Sequence, residues 1–304
     1  MPNASQYLSR PLAIAILVSA ACLFAANHVA ARVAFDDGTG LLLALLARGG
    51  IAFLLMLSLV IAQGHKLTIP AGKRRWQCLL GLLIAGQSLC LYSAVARIPV
   101  AVALLLVNTW PILYALLTWL LGGRRPTLRF VVIMSIILVG LVMVLDLGTW
   151  LSDPSVMGPG WLPGIMFAEA AALFFAVAIW VTENRLAQLP GAVRSVFTMM
   201  TVIAIMVIAG ALGIVPGGLA LPQSQAGWIG LVSLAALYGT ASTVLFVLVP
   251  RLNMARNAPV MNLEPVASLL FGFVILGQIL APVQLLGGAV VLGGIVWLSL
   301  MRKS

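Results

Sequence analysis

Ten long apolar runs, each closed by a charged residue or a Gly/Pro cluster, constrain this chain more than any other feature of its sequence. A run of about 20 apolar residues spans the hydrocarbon core of a bilayer. Only 8% of the 304 residues are charged and 62% are hydrophobic, so the chain lacks the polar surface of a water-soluble domain. The sequence therefore predicts an all-α integral membrane protein and excludes a water-soluble enzyme, a disordered chain and a secreted disulfide scaffold. The ten expected transmembrane helices cover residues 12–34, 41–62, 76–96, 101–121, 129–147, 161–184, 193–213, 226–249, 257–277 and 283–301.

The basic residues divide unequally between the two sets of links that join these spans. Of the 17 lysines and arginines, 14 lie in the terminal segments and in the links after spans two, four, six and eight. Two lie in the opposite links, and Arg48 falls inside span two. By the positive-inside rule, we expect both termini in the cytoplasm and the chain in a bacterial inner (plasma) membrane. The net charge of +10 thus indicates orientation in a lipid bilayer and not binding to nucleic acid.

The second half of the chain repeats features of the first. A shift of 154 residues aligns Asn108 with Asn262 and Pro111 with Pro265. Because each half holds five spans, an odd number, the second half enters the membrane from the opposite face. The sequence therefore predicts two inverted five-helix repeats, which transporters use to open a midplane site to each side in turn. The two expected units are residues 1–150 and 151–304.

Three motifs in the second half carry a family resemblance. Residues 263–266 read LEPV, residues 276–277 read LG, and residues 284–289 read QLLGGA. Together they resemble the second-half signature of EamA-type members of the drug/metabolite transporter superfamily. The chain departs from that pattern at Arg124 and Gln278, because the family usually places an acidic residue after the turn glycine.

Two features of the first half extend the resemblance. Arg48 fits the arginine of the family's second span, and residues 107–111, which read VNTWP, are similar to the branch that exports aromatic amino acids. The resemblance covers nearly the whole chain. It implies a ten-helix secondary transporter that exports aromatic or other hydrophobic amino acids.

The recurring prolines are the expected kink and gating positions. A proline inside a helix removes one hydrogen bond and frees the carbonyl four residues earlier, which is Val107 for Pro111 and Met261 for Pro265. Backbone groups left free are costly in lipid, so such kinks face protein or a wet cavity. A packing kink without a role in transport is the alternative.

Span four carries an aromatic pair at mid-depth, whereas tryptophan and tyrosine normally collect at the membrane interfaces. Trp110 and Tyr114 are one helical turn apart and share a face. We expect an aromatic platform on which the ring of a substrate stacks, with Asn108 holding the charged end. The alternative is a hydrogen bond from the pair to a neighbouring helix.

Polar and aromatic side chains within the spans usually face the bundle interior. Together they predict a central cavity with a polar and aromatic lining. For Asn27 and its neighbour His28, hydrogen bonds between helices are favoured over a role in binding substrate. The residues expected to line the cavity or bind substrate are Phe24, Asn27, Gln87, Ser88, Tyr92, Asn108, Trp110, Tyr114, Phe174, Tyr238, Asn262 and Glu264.

Three charged residues inside the spans are candidates for coupling transport to an ion gradient. Arg48 lies about a third of the way into span two, so we expect it to pair with a carboxylate or a carbonyl. Glu264 and Glu169 are the available carboxylates, and the sequence does not choose between them. The same two glutamates are the candidates for carrying a proton, with structural hydrogen bonding as the alternative.

No catalytic or cofactor motif accompanies these residues. The histidines and cysteines have no spacing suited to zinc, and the sequence holds no P-loop for ATP. We therefore expect neither enzymatic activity nor a metal or cofactor. The sequence predicts an exporter of small amphipathic metabolites, with aromatic or hydrophobic amino acids as the favoured cargo and a monomer as the favoured state. The alternatives are a broad exporter of drugs or quaternary ammonium compounds and a membrane-embedded enzyme. The direction and energy coupling of transport stay open.

Overall fold

The computed structural model describes residues 8–64, 66–122, 128–144, 158–215, 217–248, 252 and 258–301, and every secondary-structure element in them is helical. A 3₁₀ helix, Ala258–Leu263, directly precedes the tenth α-helix. The α-helices are α1 (Arg10–Asp36), α2 (Leu41–Ala62), α3 (Ala71–Val95), α4 (Val100–Val107), α5 (Trp110–Leu120), α6 (Leu128–Val144), α7 (Trp161–Arg185), α8 (Gly191–Ala211), α9 (Gln225–Leu248), α10 (Glu264–Leu276) and α11 (Pro282–Met301).

Seven helical stretches of the described residues are long and apolar enough to cross a bilayer, with mean hydropathy between 1.5 and 2.2. One of them, Val100–Leu120, combines α4 and α5. Three shorter apolar segments coincide with the predicted spans five, nine and ten, so each of the ten predicted spans carries helix. The prediction of an all-helical membrane protein is confirmed, whereas the number of crossings and the side of the termini stay predictions. The shorter segments are Val131–Gly140, Glu264–Leu276 and Pro282–Gly294.

Span four is divided into two helices and is not the continuous kinked helix that the sequence predicted. α4 ends at Val107, and α5 begins at Trp110 with Pro111 in its first turn. Proline suits this position because its missing N–H has no acceptor within the first turn of a helix. Asn108 helps to end α4, since its Nδ2 donates to the carbonyl oxygen of Leu104 at 2.8 Å.

Span nine is divided in the corresponding place, which is the same correction to the prediction. The 3₁₀ helix is followed at once by α10, which begins at Glu264 with Pro265 in its first turn. α10 ends before Gly277, whose φ of 64° is a left-handed conformation that favours glycine. The side chain of the next residue, Gln278, accepts a hydrogen bond from the N–H of Val100 at 3.3 Å. The glutamine that departs from the family pattern thus ties the end of α10 to the start of α4.

The helices pack in pairs that correspond between the two halves of the chain. α1 packs along α9 and α3 packs along α7, while α2 also contacts α9 and α3 also contacts α8. α1 further contacts α10, and α7 contacts α5 in the corresponding way. Three more pairings join equivalent helices of the two halves: α2 with α8, α6 with α11, and α4 with α10. If predicted spans one to five are swapped in order with spans six to ten, each of these pairings either becomes another pairing of the set or stays the same. For example, the α1–α9 pairing becomes the α7–α3 pairing. The predicted boundary between the halves, at residues 150 and 151, lies outside the described residues.

Small residues allow the closest of these helix pairs. Gly230 of α9 lies so near α1 that an added Cβ would be 2.9 Å from the Ala30 carbonyl oxygen and from the Ala34 nitrogen. Gly164 of α7 is similarly close to Ile98, where a Cβ would be 2.5 Å from Cγ2. Close backbone approach at glycine and alanine is typical of helix pairs in membranes.

The link between α1 and α2 is tied to the start of α9. Asp37 Oδ2 accepts hydrogen bonds from the backbone N–H groups of Gln223 and Ser224, at 2.7 and 2.9 Å. Hydrogen bonds from the Ser224 side chain and backbone hold the pKa of Asp37 below its usual value, because they stabilise the charged carboxylate. The N–H of Gly40 also donates to the Ala220 carbonyl oxygen at 2.9 Å. The two halves of the chain are thus joined at this end of the bundle.

Candidate functional site

A buried arginine lies where α2, α3 and α9 meet. Arg48 is 5% exposed, and its Nη2 donates to Ser88 Oγ at 2.7 Å. Its guanidinium carbon lies 4.0 Å from the ring centroid of Tyr238 and 4.6 Å from that of Tyr92. Aromatic rings placed in this way stabilise a cation that has left water. A charged side chain at the centre of a membrane helix still costs about 2.5–3.5 kcal/mol on the most permissive scale, so Arg48 is a strong candidate for a functional residue.

Among the described carboxylates, none pairs with Arg48, although the sequence led us to expect Glu264 or Glu169. The ion pairs in the described part of the chain join His28 to Glu264 and Arg32 to Asp36. The expectation is corrected: the partners of Arg48 are the hydroxyl of Ser88 and two tyrosine rings. The other described carboxylates accept hydrogen bonds elsewhere: Asp37 from the start of α9, Glu169 from Thr109 and Glu183 from Tyr114.

Tyr92 links the arginine to α1. Its side chain is fully buried, and its hydroxyl donates to Asn27 Oδ1 at 2.9 Å. Turning the Asn27 amide by 180° satisfies its surroundings better: in that orientation Oδ1 accepts from the Tyr92 hydroxyl at 3.0 Å, and Nδ2 donates to the carbonyl oxygen of Leu234, also at 3.0 Å. Both groups lie inside the bundle, where an unpaired amide or hydroxyl is costly. Asn27 therefore joins α1, α3 and α9, which is the interhelical role that the sequence offered as one of two alternatives.

The same cluster continues to the ion pair between α1 and α10. His28 Nε2 lies 3.3 Å from Glu264 Oε1, and the two side chains are 6% and 22% exposed. The His28 ring is also 5.6 Å from the ring of Tyr92, centroid to centroid. Two titratable groups from different halves of the chain thus meet next to the buried arginine cluster.

A cavity of about 300 Å³ opens between α1, α2, α8 and α9. Two of the predicted lining residues, Phe24 and Tyr238, contribute to it, and their rings meet edge to face with centroids 5.9 Å apart. The volume is at the lower end of the range of small-molecule pockets. The full lining is Phe24, Ala52, Met56, Ser195, Met199, Tyr238, Ser242 and Leu245.

The cavity and the buried arginine are adjacent. Arg48, Ala52 and Met56 are spaced by four residues along α2 and therefore share one face, and the last two line the cavity. Tyr238 lines the cavity and also lies over the Arg48 guanidinium. Tyr238 is thus common to the cavity wall and to the polar cluster.

Trp110 and Tyr114 belong to a different group of contacts, between α5 and α7. The ring centroid of Trp110 lies 6.5 Å from that of Tyr114 and 5.2 Å from that of Phe175. The Tyr114 hydroxyl donates to Glu183 Oε2 at 2.5 Å, and the neighbouring Thr109 hydroxyl donates to Glu169 at 3.1 Å. A hydrogen bond to an adjacent helix was the structural alternative for this aromatic pair, and the geometry matches it.

The remaining predicted site residues lie at the edges of these two groups. Gln87 Oε1 accepts a long hydrogen bond, 3.4 Å, from the Ser88 hydroxyl. Phe174 packs against α3, where an added Cβ on Gly86 would be 3.1 Å from its ring. Asn108 donates within its own span, as described above, and Pro265 is buried at the start of α10. The side chains of Asn262 and Pro111 lie outside the described residues.

Several contributors to the site were missed from the sequence. Ala52 and Met56 carried a usable signal, because they follow Arg48 at intervals of four on one helical face. Ser195, Met199 and Leu245 carried none, since nothing in a single apolar span shows which of its faces turns to a cavity. In the described residues, no group of three or more His, Cys, Asp or Glu side chains is placed to hold a metal ion.

Comparisons with known proteins come from two directions. The sequence pattern described as the EamA-like transporter family matches residues 11–146 and matches again at residues 162–300. No curated protein matches the sequence. Thirteen chains of solved structures match this chain in a comparison of structures. One of them, a crystal structure of a protein 23% identical to this chain, has a TM-score of 0.61 and covers 97% of this chain and 100% of its own. At that identity the likeness shows a shared fold and nothing about substrate.

Proposed function

The chain belongs to the EamA-like transporter family, and we propose that it is a secondary transporter. Members of this family are membrane transporters of small molecules and not enzymes. The proposed cargo is aromatic or hydrophobic amino acids and similar amphipathic metabolites, which the protein exports. It works by alternating access, in which one cavity opens to each side of the membrane in turn. The proposed location is the bacterial inner membrane, with both termini in the cytoplasm and the monomer as the working unit.

The observation that carries this proposal is the cavity that ends at a buried polar cluster. Its lining combines the aromatic residues Phe24 and Tyr238 with two serines, Ser195 and Ser242. A mostly apolar pocket with a few polar groups is the usual form of a small-molecule site. An amino acid with a hydrophobic side chain offers the matching combination of an apolar body and a polar end.

The helix pairings support the proposed inverted repeats. Among the described residues, the main contacts between a helix of the first five spans and one of the second five have counterparts when the halves are exchanged. The family pattern also matches the chain twice, once on each side of the proposed boundary near residue 150. Two equivalent halves around one cavity can exchange conformations, which is the structural basis of alternating access.

The ion pair between His28 and Glu264 is the proposed coupling site. It joins α1 to α10 and therefore the two halves that move against each other in alternating access. The carboxylate and the imidazole are both groups that can carry a proton, and their contact lies between the two halves. Glu169 is the second candidate, although its hydrogen bond to Thr109 lies with the other aromatic group.

A flux experiment on the purified protein tests this proposal. Proteoliposomes are offered labelled L-phenylalanine, L-leucine, a cationic dye and a quaternary ammonium compound, each with and without a pH gradient. We expect saturable transport of the amino acids. A carrier that moves only the cations would instead be the broad drug exporter, whose substrates the same rings would hold by cation–π contacts.

Two variants distinguish the cavity from the second aromatic group. Because Tyr238 lines the cavity and Trp110 does not, we expect Tyr238→Ala to reduce amino-acid transport more strongly than Trp110→Ala. The reverse order would move the substrate platform to Trp110, where the sequence alone had placed it.

A further inference from the structure

Arg48 is a buried cation that the described protein groups do not neutralise. Arg48 is 5% exposed, and each described carboxylate contacts a partner other than Arg48. Removing an ion from water without a counterion is strongly unfavourable. A bundle that keeps such a charge therefore has a use for it.

The guanidinium retains the donors that a ligand would need. Arginine carries five N–H donors in one plane, and Nη2 donates to Ser88. The rings of Tyr92 and Tyr238 lie 4.6 and 4.0 Å from the guanidinium carbon, and the Tyr92 side chain also shares a hydrogen bond with the guanidinium. At most a few of the five donors are therefore used by the described residues. Donors in the plane of the group remain for a planar acceptor, and a carboxylate is the acceptor whose two oxygens match the guanidinium fork.

The cation also lies on the path that leads inward from the cavity. Ala52 is one helical turn from Arg48 on the same face of α2, and Tyr238 belongs to both the cavity wall and the arginine cluster. Tyr238 therefore contacts both the cavity and the guanidinium. Aromatic side chains can move aside by rotation about χ1, which leaves the arginine in contact with the cavity.

We propose that Arg48 binds the carboxylate of the transported molecule, and that the chain selects substrates with a carboxylate attached to a hydrophobic or aromatic body. This inference rests on the proposed function, since it takes the cavity as the substrate pathway. The carboxylate pairs with the guanidinium and supplies the missing counterion, while Phe24 and Tyr238 contact the apolar part. A cationic drug meets a like charge at the same position and is disfavoured.

The residue of the second half that aligns with Arg48 is not a cation. A shift of 150 residues brings α1 onto α7 and α2 onto α8, and it places Thr198 opposite Arg48. Thr198 is neutral and accepts a hydrogen bond from Gln77 Nε2 at 2.9 Å. The position of α8 that corresponds to Arg48 is therefore neutral, and the cation that α8 does carry, Arg194, lies one helical turn before it. We expect one carboxylate bound at Arg48.

Ligand binding by the purified full chain tests the proposal. The Tm of the protein in detergent is measured at increasing concentrations of four probes: L-phenylalanine, 3-phenylpropionate, L-phenylalaninamide and phenethylamine. The first two carry a carboxylate and the last two do not. We expect the two carboxylates to bind roughly ten- to a hundredfold more tightly than the amide and the amine. This factor corresponds to the loss of one hydrogen bond to a charged group. Sodium chloride at the same concentrations shows whether an inorganic anion is enough to raise the Tm.

Three variants assign the preference to the guanidinium. Arg48→Gln removes the charge and should reduce the preference for 3-phenylpropionate over phenethylamine to about one. Arg48→Lys keeps the charge without the planar fork and should retain a weaker preference. Arg75→Gln removes an exposed cation whose guanidinium lies 5.5 Å from the Trp76 ring, and it should match the wild type. If Arg48→Gln does not fold, the wild-type comparison of acid with amide still decides.

The outcomes separate this inference from the proposed function. The carboxylate site is overturned if the wild type binds the amide as tightly as the acid, binds neither carboxylate, or is stabilised equally by chloride. It is also overturned if Arg48→Gln keeps the wild-type preference. If 3-phenylpropionate binding needs Arg48 but phenylalanine does not cross proteoliposomes, amino-acid export fails and the carboxylate site stands. If phenylalanine is transported equally well without Arg48, the carboxylate site fails and amino-acid export stands.

Discussion

Tyr92 shows how closely the site residues depend on one another. Its ring covers the Arg48 guanidinium, its hydroxyl bonds Asn27, and its ring also approaches those of His28 and Phe35, at 5.6 and 6.0 Å between centroids. A change at any of these side chains therefore alters the environment of the others. The cation, the amide and the ion pair form one connected polar group inside an apolar bundle.

Single residues of this group were predictable, whereas their pairings were not. Asn27, Tyr92, Arg48 and Glu264 stood out because polar side chains are rare in lipid and usually face the bundle interior. The hydrogen bond from Arg48 to Ser88 joins positions 40 residues apart, and only the packing of α2 on α3 brings them together. The sequence therefore indicated candidate residues, but neither glutamate that it offered as a partner for the arginine contacts it.

Replacing Glu264 tests the proposed coupling. Glu264→Gln removes the carboxylate that pairs with His28, so a pH gradient no longer acts on that contact. We expect the stimulation of amino-acid flux by a pH gradient to be abolished, while exchange of labelled for unlabelled substrate without a gradient continues. Both rates are measured in the same proteoliposome preparation.

The matched control is Glu169→Gln, which removes the carboxylate bonded to Thr109. This variant should respond to the pH gradient like the wild type. If Glu264→Gln keeps its response and Glu169→Gln loses it, the coupling site lies at Glu169. If both keep it, neither glutamate carries the coupling.

At the scale of helices, the structure departs from the sequence most clearly in spans four and nine. Their apolar composition is continuous, so the sequence predicted two kinked helices. In the structure each span is broken, and the proline starts the second segment. A proline at mid-span is compatible with either outcome, because it suits the first turn of a new helix and also kinks an existing one. The choice depends on which neighbours satisfy the freed backbone groups.

The start of α9 provides a prediction for the dependence of stability on pH. Asp37 has a lowered pKa because its carboxylate accepts hydrogen bonds from Ser224 and Gln223. Its stabilising contribution is therefore fully present above about pH 4, the ordinary pKa of an unfolded aspartate. It is lost as the pH falls through the lower pKa of the folded protein. We expect Asp37→Asn to lower the Tm at neutral pH, with the difference from the wild type shrinking below about pH 4.

Asp36→Asn is the control for this measurement. Asp36 pairs with Arg32 within α1, four residues away, and does not join the two halves. Exposed pairs of this kind contribute little to stability, so its Tm should stay close to that of the wild type at both pH values. Equal Tm values for Asp37→Asn and the wild type at neutral pH would show that the link to α9 does not stabilise the fold.

At the scale of the whole molecule, the ten apolar segments were predictable and the cavity was not. The thickness of the bilayer fixes the length of a crossing, so the predicted spans agree with the helices to within a few residues at most ends. The cavity needs four helices from both halves, and its lining comes from residues 24 to 245. No local pattern encodes that meeting, although the repeat of Asn108 and Pro111 in the second half indicated that two equivalent units are assembled.

The central claim is that the cavity between the two halves is the path of the substrate, and a cavity-filling substitution tests it most directly. Ala52 is 1% exposed and lines the cavity, whereas Leu54 on the same helix is 59% exposed on the outer surface of the bundle. Flux of labelled L-phenylalanine is compared in proteoliposomes that contain the wild type, Ala52→Trp or Leu54→Trp, each shown to elute as a folded, monodisperse protein. The account predicts that Ala52→Trp falls to the rate of protein-free vesicles while Leu54→Trp matches the wild type. Undiminished flux through folded Ala52→Trp would contradict it.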